Sequence, residues 1–162
     1  MKILGIDPGP TQSAYVIWDD GVLVEKAVVD NNELLAILWC RAHDGIVDRM
    51  AIEMIACYGM AVGAETFETC VWIGRFMQMW LESSDRDSTS IIRIPRLHIK
   101  VNLCKSAKAK DANVRQALID RLGPVGTKKQ PGPLFGVSSH MWAALAVAVT
   151  CADRLQIERE TI

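Results

Sequence analysis

"ILGIDPGPTQ", residues 3–12, runs from apolar residues into an aspartate and then into a Pro-Gly pair. The apolar residues predict a buried strand over residues 2–7, and Pro8-Gly9 predicts a sharp turn directly after it. Asp7 therefore stands at the rim of a sheet, where no continuing strand shields its oxygens. Because an unpaired carboxylate is costly to bury, we expect Asp7 to meet a cation or hydrogen-bond donors. An ordinary Asx turn at Asp7 is the alternative.

The rest of the chain alternates between strand and helix patterns. Asp-Gly between two apolar runs is a hairpin signal, and a helix before the next strand suits a parallel crossover. Three antiparallel strands followed by alternating helices and strands predict an α/β fold, a mixed five-stranded sheet flanked by helices with the ribonuclease H-like architecture. The predicted strands are at 2–7, 13–18, 22–29, 48–53 and 91–94. The predicted helices run from Asn31 or Asn32 to about Ala42, from Phe67 to about Glu82, in the second half of 106–123, and over 140–156 with Ser138 or Ser139 as the cap. A loop is predicted at 57–65 and a mobile stretch at 123–133.

Length and composition favour one domain over residues 1–162. Half of the 162 residues are apolar, which is enough for one substantial core. No basic segment leading into an apolar run opens the chain, and no apolar run reaches about 18 residues, so we expect neither export nor membrane spanning. The five cysteines form no CxxC pair. We therefore expect reduced thiols, no zinc site and a cytoplasmic location.

The net charge of −1 conceals a basic segment. Residues 93–130 contain ten lysines and arginines but two acids, a local charge of +8 that leaves −9 for the rest of the chain. This separation is typical of a protein that binds a polyanion and has an acidic site elsewhere. A merely solvated basic surface is the alternative.

A second carboxylate follows the pattern of the first. Residues 48–53 (DRMAIE) end in Glu53, and a strand reached by a crossover tends to lie beside the strand before it. Two carboxylates at one rim repel each other and attract a hard cation such as Mg²⁺. A surface Glu53 paired with a base is the alternative, but the matched placement at two strand ends favours a site.

Four blocks of the sequence stand out together: ILGIDPG (3–9), AIEMI (51–55), AKAKDANVRQALIDRL (107–122) and SSHMWAALAVAVT (138–150). In this order and spacing they resemble the RuvC family of Holliday junction resolvases. Small resolvase-like proteins of phages and prophages are similar also in "YGM", "FETCVWIGRF" and "WAALAVA", which implies the cytoplasm of a bacterium or of a phage-infected cell.

The resemblance implies a metal-dependent endonuclease that resolves four-way (Holliday) or branched DNA junctions by paired phosphodiester hydrolysis. Asp7, Glu53 and His140 match the family's catalytic and metal-binding residues, which hold two Mg²⁺ or Mn²⁺ ions. The family usually has a further aspartate three residues after the position of His140, on the same helix face, and Ala143 stands there instead. For His140, a histidine at a helix start that donates to a carbonyl is the alternative.

The same resemblance implies how DNA is bound. Lys105, Lys108, Lys110 and Arg115 match the family's junction-contacting bases. Tyr58 is the candidate for an aromatic residue that inserts into the junction centre, with a packed loop tyrosine as the alternative. Two opposed cuts suit a two-fold dimer, and the helix from Phe67 to Trp80 carries more large side chains than one sheet face requires. We therefore expect a homodimer, with no nucleotide cofactor and no membrane partner.

Two other functions are open at this stage. A junction-binding protein of the same fold, with weak or no cleavage, follows if the missing aspartate leaves the metal site incomplete. An actin-like phosphotransferase would use the first aspartate motif to bind ATP phosphates, but that fold needs a second related domain, for which this chain is too short.

Overall fold

A five-stranded mixed sheet forms the centre of the protein. The computed structural model describes residues 1–57, 59, 61–83 and 87–161. The strands are β1 (Lys2–Asp7), β2 (Gln12–Asp19), β3 (Val22–Asp30), β4 (Arg49–Met54) and β5 (Ile91–Pro95), and the helices are α1 (Asn31–His43), α2 (Ala64–Glu82), α3 (Arg96–Cys104), α4 (Asp111–Leu122) and α5 (Met141–Thr161). The strands lie in the order β3-β2-β1-β4-β5, antiparallel from β3 to β1 and parallel from β1 to β5. The predicted mixed sheet is therefore confirmed.

Helices cover both faces of the sheet, and each face has its own apolar core. On one face α5 packs directly on the central strands, and α3 and α4 complete that core through Ile99, Val114 and Leu118. On the other face α1 and α2 pack together, and Phe76 and Trp80 of α2 are fully buried there. Burying large apolar side chains on both faces supplies the main favourable free energy of folding.

Gly5 lets α5 approach the centre of the sheet closely. A Cβ atom at position 5 would lie 2.6 Å from the Ala144 carbonyl oxygen and 2.7 Å from the Ala148 Cβ. Small residues on both elements therefore bring the helix onto the backbone of β1. Because residues i and i+2 of a strand share a face, Asp7 lies on the α5 side of β1, next to the start of that helix.

The two asparagines predicted to cap α1 do not cap it. The Asp30 side chain accepts the Asn32 backbone N–H at 2.8 Å and is the N-cap of α1, as a carboxylate at this position commonly is. Asn31 is the first residue of the helix, and its side chain is fully buried against the turn after β1. The asparagine therefore serves a tertiary contact, which local sequence does not indicate.

The last helix begins one residue later than predicted. α5 starts at Met141, and the carbonyl oxygen of His140 accepts the backbone N–H groups of Ala143 and Ala144 at 3.0 and 3.1 Å. His140 thus stands at the N-terminal edge of α5 rather than within it. This position leaves its side chain free of the helix surface and close to the rim of the sheet.

Two further segments lie where the sequence indicates no regular element. α3 follows Pro95 directly and is not predicted from the sequence. Its apolar residues Leu97, Ile99, Val101 and Leu103 recur at every second position, a pattern more typical of a strand. Residues 123–133, expected to be mobile, form a hydrogen-bonded turn in which Gly126 pairs with Pro131. A Cβ atom on Gly126 would lie 2.2 Å from the Gly132 backbone nitrogen, so the glycine permits this close approach.

The structure also bears on membrane spanning and on the state of the cysteines. No helix in the described part of the chain is long and apolar enough to cross a membrane. The five cysteines are free thiols. Burial raises the pKa of Cys151 to about 12, which makes this thiol unreactive at neutral pH because the thiolate is the nucleophile.

Candidate active site

Asp7 and Glu53 lie at the carboxyl ends of β1 and β4. These strand ends form the edge of the sheet referred to below, which is distinct from the outer strands β3 and β5. β1 and β4 are parallel, and Ile6 pairs with Ile52, so Asp7 and Glu53 are the next residue on each strand. Residues in register on neighbouring parallel strands point to the same face. Both side chains are largely buried, with 15% of Asp7 and 16% of Glu53 exposed. The structure thus brings together the two carboxylates that the sequence places at strand ends.

His140 contacts Asp7 across the edge of the sheet. Its Nδ1 lies 2.9 Å from Oδ2 of Asp7. Burial raises the pKa of Asp7, and the hydrogen bond and charge of His140 offset this only in part. The partner of His140 is therefore a carboxylate, and the alternative of a histidine that donates to a carbonyl does not describe the structure.

Glu53 is paired with a base. Nη1 of Arg96 lies 3.0 Å from Oε2 of Glu53. Burial raises the pKa of Glu53 to about 7, although Arg96 lowers it, and the charge of Asp7 raises it further. A carboxylate with a nearby guanidinium and a pKa still near 7 is one whose charge the protein compensates incompletely. The ion pair foreseen as the alternative thus exists within the site rather than on an open surface.

Arg96 also holds the start of α4. Its Nη2 lies 2.5 Å from Oδ1 of Asp111, the first residue of that helix. Burial lowers the pKa of Arg96, but Glu53 and Asp111 outweigh it and the pKa is raised. One guanidinium therefore links the edge of the sheet to α4, which carries part of the basic segment.

These side chains open into one pocket of about 400 Å³. Its lining includes Asp7, Glu53 and His140, and also Ala143, one helical turn after His140. Within the described ranges of the chain, no three His, Cys, Asp or Glu side chains are grouped closely enough to hold one ion by themselves. A hard cation in this pocket would complete its coordination with water or phosphate oxygens, as Mg²⁺ commonly does.

The architecture matches solved structures over nearly the whole chain. The RuvC structure from Thermus thermophilus has a TM-score of 0.69, with 20% sequence identity over 98% of this chain and 97% of that one. This chain has the RuvC fold. T. thermophilus RuvC in complex with a Holliday junction substrate gives a TM-score of 0.67, with 20% identity over 98% and 96% of the two chains. No protein-family model and no curated protein matches the sequence.

The predicted ribonuclease H-like architecture is confirmed by this RuvC fold, and the predicted DNA-contacting bases lie on it around the start of α4. Arg115 of α4 stacks over the ring of Trp142, 4.9 Å from the ring centroid, and Trp142 lines the pocket. One predicted base therefore contacts a residue of the pocket wall. The four predicted bases, Lys105, Lys108, Lys110 and Arg115, are all exposed. Tyr58, predicted to insert into the junction, lies outside the described residues.

Several residues of the pocket in this RuvC fold are missing from the site predicted from sequence, among them Arg96, Asp111 and Trp142. Arg96 had a usable signal. It follows Pro95 at the carboxyl end of β5, and β5 runs parallel to β4 beside it, so the residue after β5 reaches the same edge of the sheet as Glu53. Asp111 and Trp142 reach the pocket only through the packing of α4 and α5, which local sequence does not specify.

Proposed function

We propose that this chain is an endonuclease that binds branched DNA, especially four-way junctions, and hydrolyses phosphodiester bonds in it. The convergence of Asp7, Glu53 and His140 on one pocket carries the proposal. The shared fold adds support, because a solved structure of T. thermophilus RuvC contains a Holliday junction substrate.

The residues of the pocket fit a divalent metal ion. Asp7 and Glu53 offer the hard oxygen donors that Mg²⁺ and Mn²⁺ prefer. Burial raises the pKa of both groups, so a bound cation would supply the compensation that the protein leaves incomplete. We propose two ions, which Asp7 and Glu53 would hold. When bound, such ions would activate a water molecule and stabilise the leaving oxygen in phosphodiester hydrolysis.

We propose that His140 orients water or accepts a proton. Its Nδ1 contacts Asp7. If Nδ1 carries the proton of this hydrogen bond, Nε2 would be the nitrogen that accepts a proton from the attacking water. In the reaction a bond forms between the water oxygen and phosphorus while the bond to the 3′ oxygen breaks. A proton leaves the water and another reaches the 3′ oxygen, which gives 5′-phosphate and 3′-hydroxyl ends.

The exposed bases supply the binding surface for DNA. Lys105, Lys108 and Lys110 lie on the segment that leads into α4, and Arg115 lies on α4 beside the pocket. Contacts between such side chains and phosphates read the shape of DNA rather than its sequence. A four-way junction is distinguished from duplex by its shape, so this surface suits structure-selective binding.

We further propose that a second copy of the chain binds through α2. Phe67 is 63% exposed and Val71, one turn later, is 55% exposed. Gly74 continues the same face, and nothing lies within 4 Å of its Cβ position. A two-fold dimer would present two pockets for paired cuts on opposed strands.

A junction-binding protein with weak or no cleavage is the second candidate. The observation that favours it is Ala143, which puts a methyl group in the pocket where the resemblance to the RuvC family leads one to expect a carboxylate. In this case Ala143→Asp would raise cleavage strongly, because the new side chain adds an oxygen ligand one turn from His140. An active wild-type chain that gains nothing from Ala143→Asp would exclude this candidate.

A nicking assay tests the first candidate. Synthetic four-way, three-way and linear duplex DNA is incubated with the protein and Mg²⁺, Mn²⁺ or Ca²⁺, and the products are mapped. We expect cleavage of the junctions with Mg²⁺ and Mn²⁺, binding alone with Ca²⁺, and a loss of at least about 10²-fold in rate for Asp7→Asn. Asp19→Asn, at the opposite edge of the sheet, is the matched control. Normal cleavage by Asp7→Asn would refute the proposal.

A further inference from the structure

A closed ring of hydrogen bonds holds the turn that follows Asp7. The Gly9 N–H donates to the Ser13 hydroxyl oxygen at 3.1 Å, and the Ser13 hydroxyl donates to Oδ1 of Asn31 at 2.6 Å. Nδ2 of Asn31 then donates to the Gly9 carbonyl oxygen at 3.0 Å. Each donor in the ring meets an acceptor, so the ring also fixes which way the Asn31 amide points.

The ring is buried and specific. Ser13 is 2% exposed and Asn31 is fully buried. Buried polar groups are costly when unsatisfied, and a fully satisfied network permits only one arrangement of its members. Both backbone polar groups of Gly9 belong to the ring, so the turn cannot shift without breaking it. A Cβ atom on Gly9 would lie 2.3 Å from the Gln12 carbonyl oxygen, which leaves room for glycine alone.

This ring joins three elements beside the candidate carboxylate. Ser13 belongs to β2, Asn31 opens α1, and Gly9 lies in the turn after β1. Between Asp7 and Gly9 stands only Pro8, whose φ is fixed by its ring. The turn lines a groove of about 430 Å³ that also includes Asp7 and His140. Because hydrogen bonds hold both the N–H and the carbonyl group of Gly9, they set the direction in which the chain leaves Asp7.

We propose that Ser13 and Asn31 are positioning residues that orient the Asp7 carboxylate for a divalent cation. They act through the Gly9 backbone and touch neither the cation nor the substrate. The inference rests on the proposed metal-dependent function. The positioning role explains why Ser13 and Asn31 are buried here, although burying polar side chains costs more free energy than burying apolar ones.

Metal binding measured apart from activity tests this role. Mn²⁺ binding is followed by electron paramagnetic resonance or calorimetry in the full chain, without DNA. We expect Ser13→Ala to weaken Mn²⁺ binding by about 10- to 100-fold, the usual effect of losing a group that orients a metal ligand. Ser13→Thr keeps the hydroxyl and suits a strand, so it should retain wild-type affinity.

Ser90→Ala is the matched control. Ser90 is also 2% exposed, accepts the Trp80 indole N–H at 2.8 Å and donates to the Asp87 carbonyl oxygen at 2.7 Å. It lies just before β5, at the amino end of that strand, whereas the pocket lies at the carboxyl ends of the parallel strands. Both alanine variants lose a buried serine with two hydrogen bonds, so both should lower the melting temperature, but Ser90→Ala should leave Mn²⁺ affinity unchanged.

A direct readout of the turn accompanies the metal titration. In a ¹⁵N NMR experiment, the Gly9 amide should lose its protection from hydrogen exchange in Ser13→Ala and keep it in Ser90→Ala. Wild-type Mn²⁺ affinity in a folded Ser13→Ala protein would overturn the positioning role. Failure of the wild-type chain to bind Mn²⁺ at all would instead contradict the proposed function, so the two failures are distinguishable.

Discussion

Nη1 of Arg96 lies 3.0 Å from Oε2 of Glu53, at the carboxyl ends of two neighbouring parallel strands. Burial and the nearby Asp7 charge raise the pKa of Glu53, whereas Arg96 lowers it, and the result is a value of about 7. A cation that binds Glu53 would therefore have to displace a proton and compete with the Arg96 guanidinium for the carboxylate. The raised pKa of Glu53 would make binding of a cation at this pocket sensitive to pH near neutrality.

We predict that Mn²⁺ affinity rises with pH up to a midpoint near 7 and then levels off. The ion binds the ionised carboxylate, so below the pKa of Glu53 each binding event must first release a proton. Arg96→Gln removes the group that lowers this pKa, and the midpoint should move to higher pH. Calorimetric titrations from pH 5.5 to 8.5 measure both effects. Arg93→Gln, an exposed arginine on β5, should leave the midpoint in place.

The same raised pKa predicts a cost to stability in the metal-free protein. The folded-state pKa of Glu53, about 7, lies above its ordinary value of 4.5, so the folded state favours the protonated form. Its stabilising contribution is complete below pH 4.5 and is lost as the pH rises through 7, a change of about 3 kcal/mol. Glu53→Gln should therefore be more stable than wild type at pH 8 in chelator and similar at pH 4, as measured by urea unfolding. Equal stability of the two proteins at pH 8 would contradict the raised pKa.

Gly5→Ala should damage both the fold and the site. The added Cβ would meet the Ala144 carbonyl oxygen at 2.6 Å and the Ala148 Cβ at 2.7 Å, so α5 must move away from β1. Overpacking of this kind costs about 1–3 kcal/mol, and the start of α5 would carry His140 away from Asp7. Thermal unfolding and the nicking assay report the two effects, and an undisturbed Gly5→Ala protein would contradict the close approach.

The sequence predicts the sheet better than it predicts the pocket. The strands follow from local apolar patterns, whereas the pocket depends on contacts between residues that lie far apart in the sequence. The strand that ends in Asp7 and the one that reaches Glu53 have local apolar patterns, so their placement at one edge follows from crossover rules. The place of Arg96 after β5 could have indicated that it reaches this edge of the sheet. Its contacts with Glu53 and Asp111 depend on how α3 and α4 pack, which local sequence does not specify. The role of Asn31 depends on Gly9, 22 residues away, and becomes visible only when β2 and α1 pack against the first turn.

Junction binding should weaken steeply with salt, and the predicted bases should each contribute to the slope. A lysine that contacts a phosphate releases counterions on binding, so Lys108→Gln should reduce the slope of log affinity against log salt by about 1. Fluorescence anisotropy with a labelled four-way junction in Ca²⁺ measures the slope. Lys2→Gln serves as the control, because Lys2 opens β1 at the opposite edge of the sheet from Asp7. An unchanged slope for Lys108→Gln, Lys105→Gln and Lys110→Gln would leave the basic segment as a solvated surface.

The exposed face of α2 leads to a prediction about assembly. Phe67 and Val71 are 63% and 55% exposed and lie one turn apart, while the opposite face of α2 buries Phe76 and Trp80 in the core. Apolar side chains on both faces of one helix exceed what packing on the sheet requires. We therefore expect a dimer at micromolar concentration in sedimentation velocity experiments, and Phe67→Asp should give a folded monomer.

The control for this substitution places the same charge on another exposed apolar residue of a helix. Ile157 of α5 is 60% exposed, so Ile157→Asp should leave the dimer intact. If α2 forms the interface, Phe67→Asp should also convert paired cuts across a junction into single nicks, since a monomer brings only one pocket to the DNA. A wild-type chain that sediments as a monomer at micromolar concentration would contradict the dimer. Phe67→Asp protein that still dimerises would place the interface on another surface.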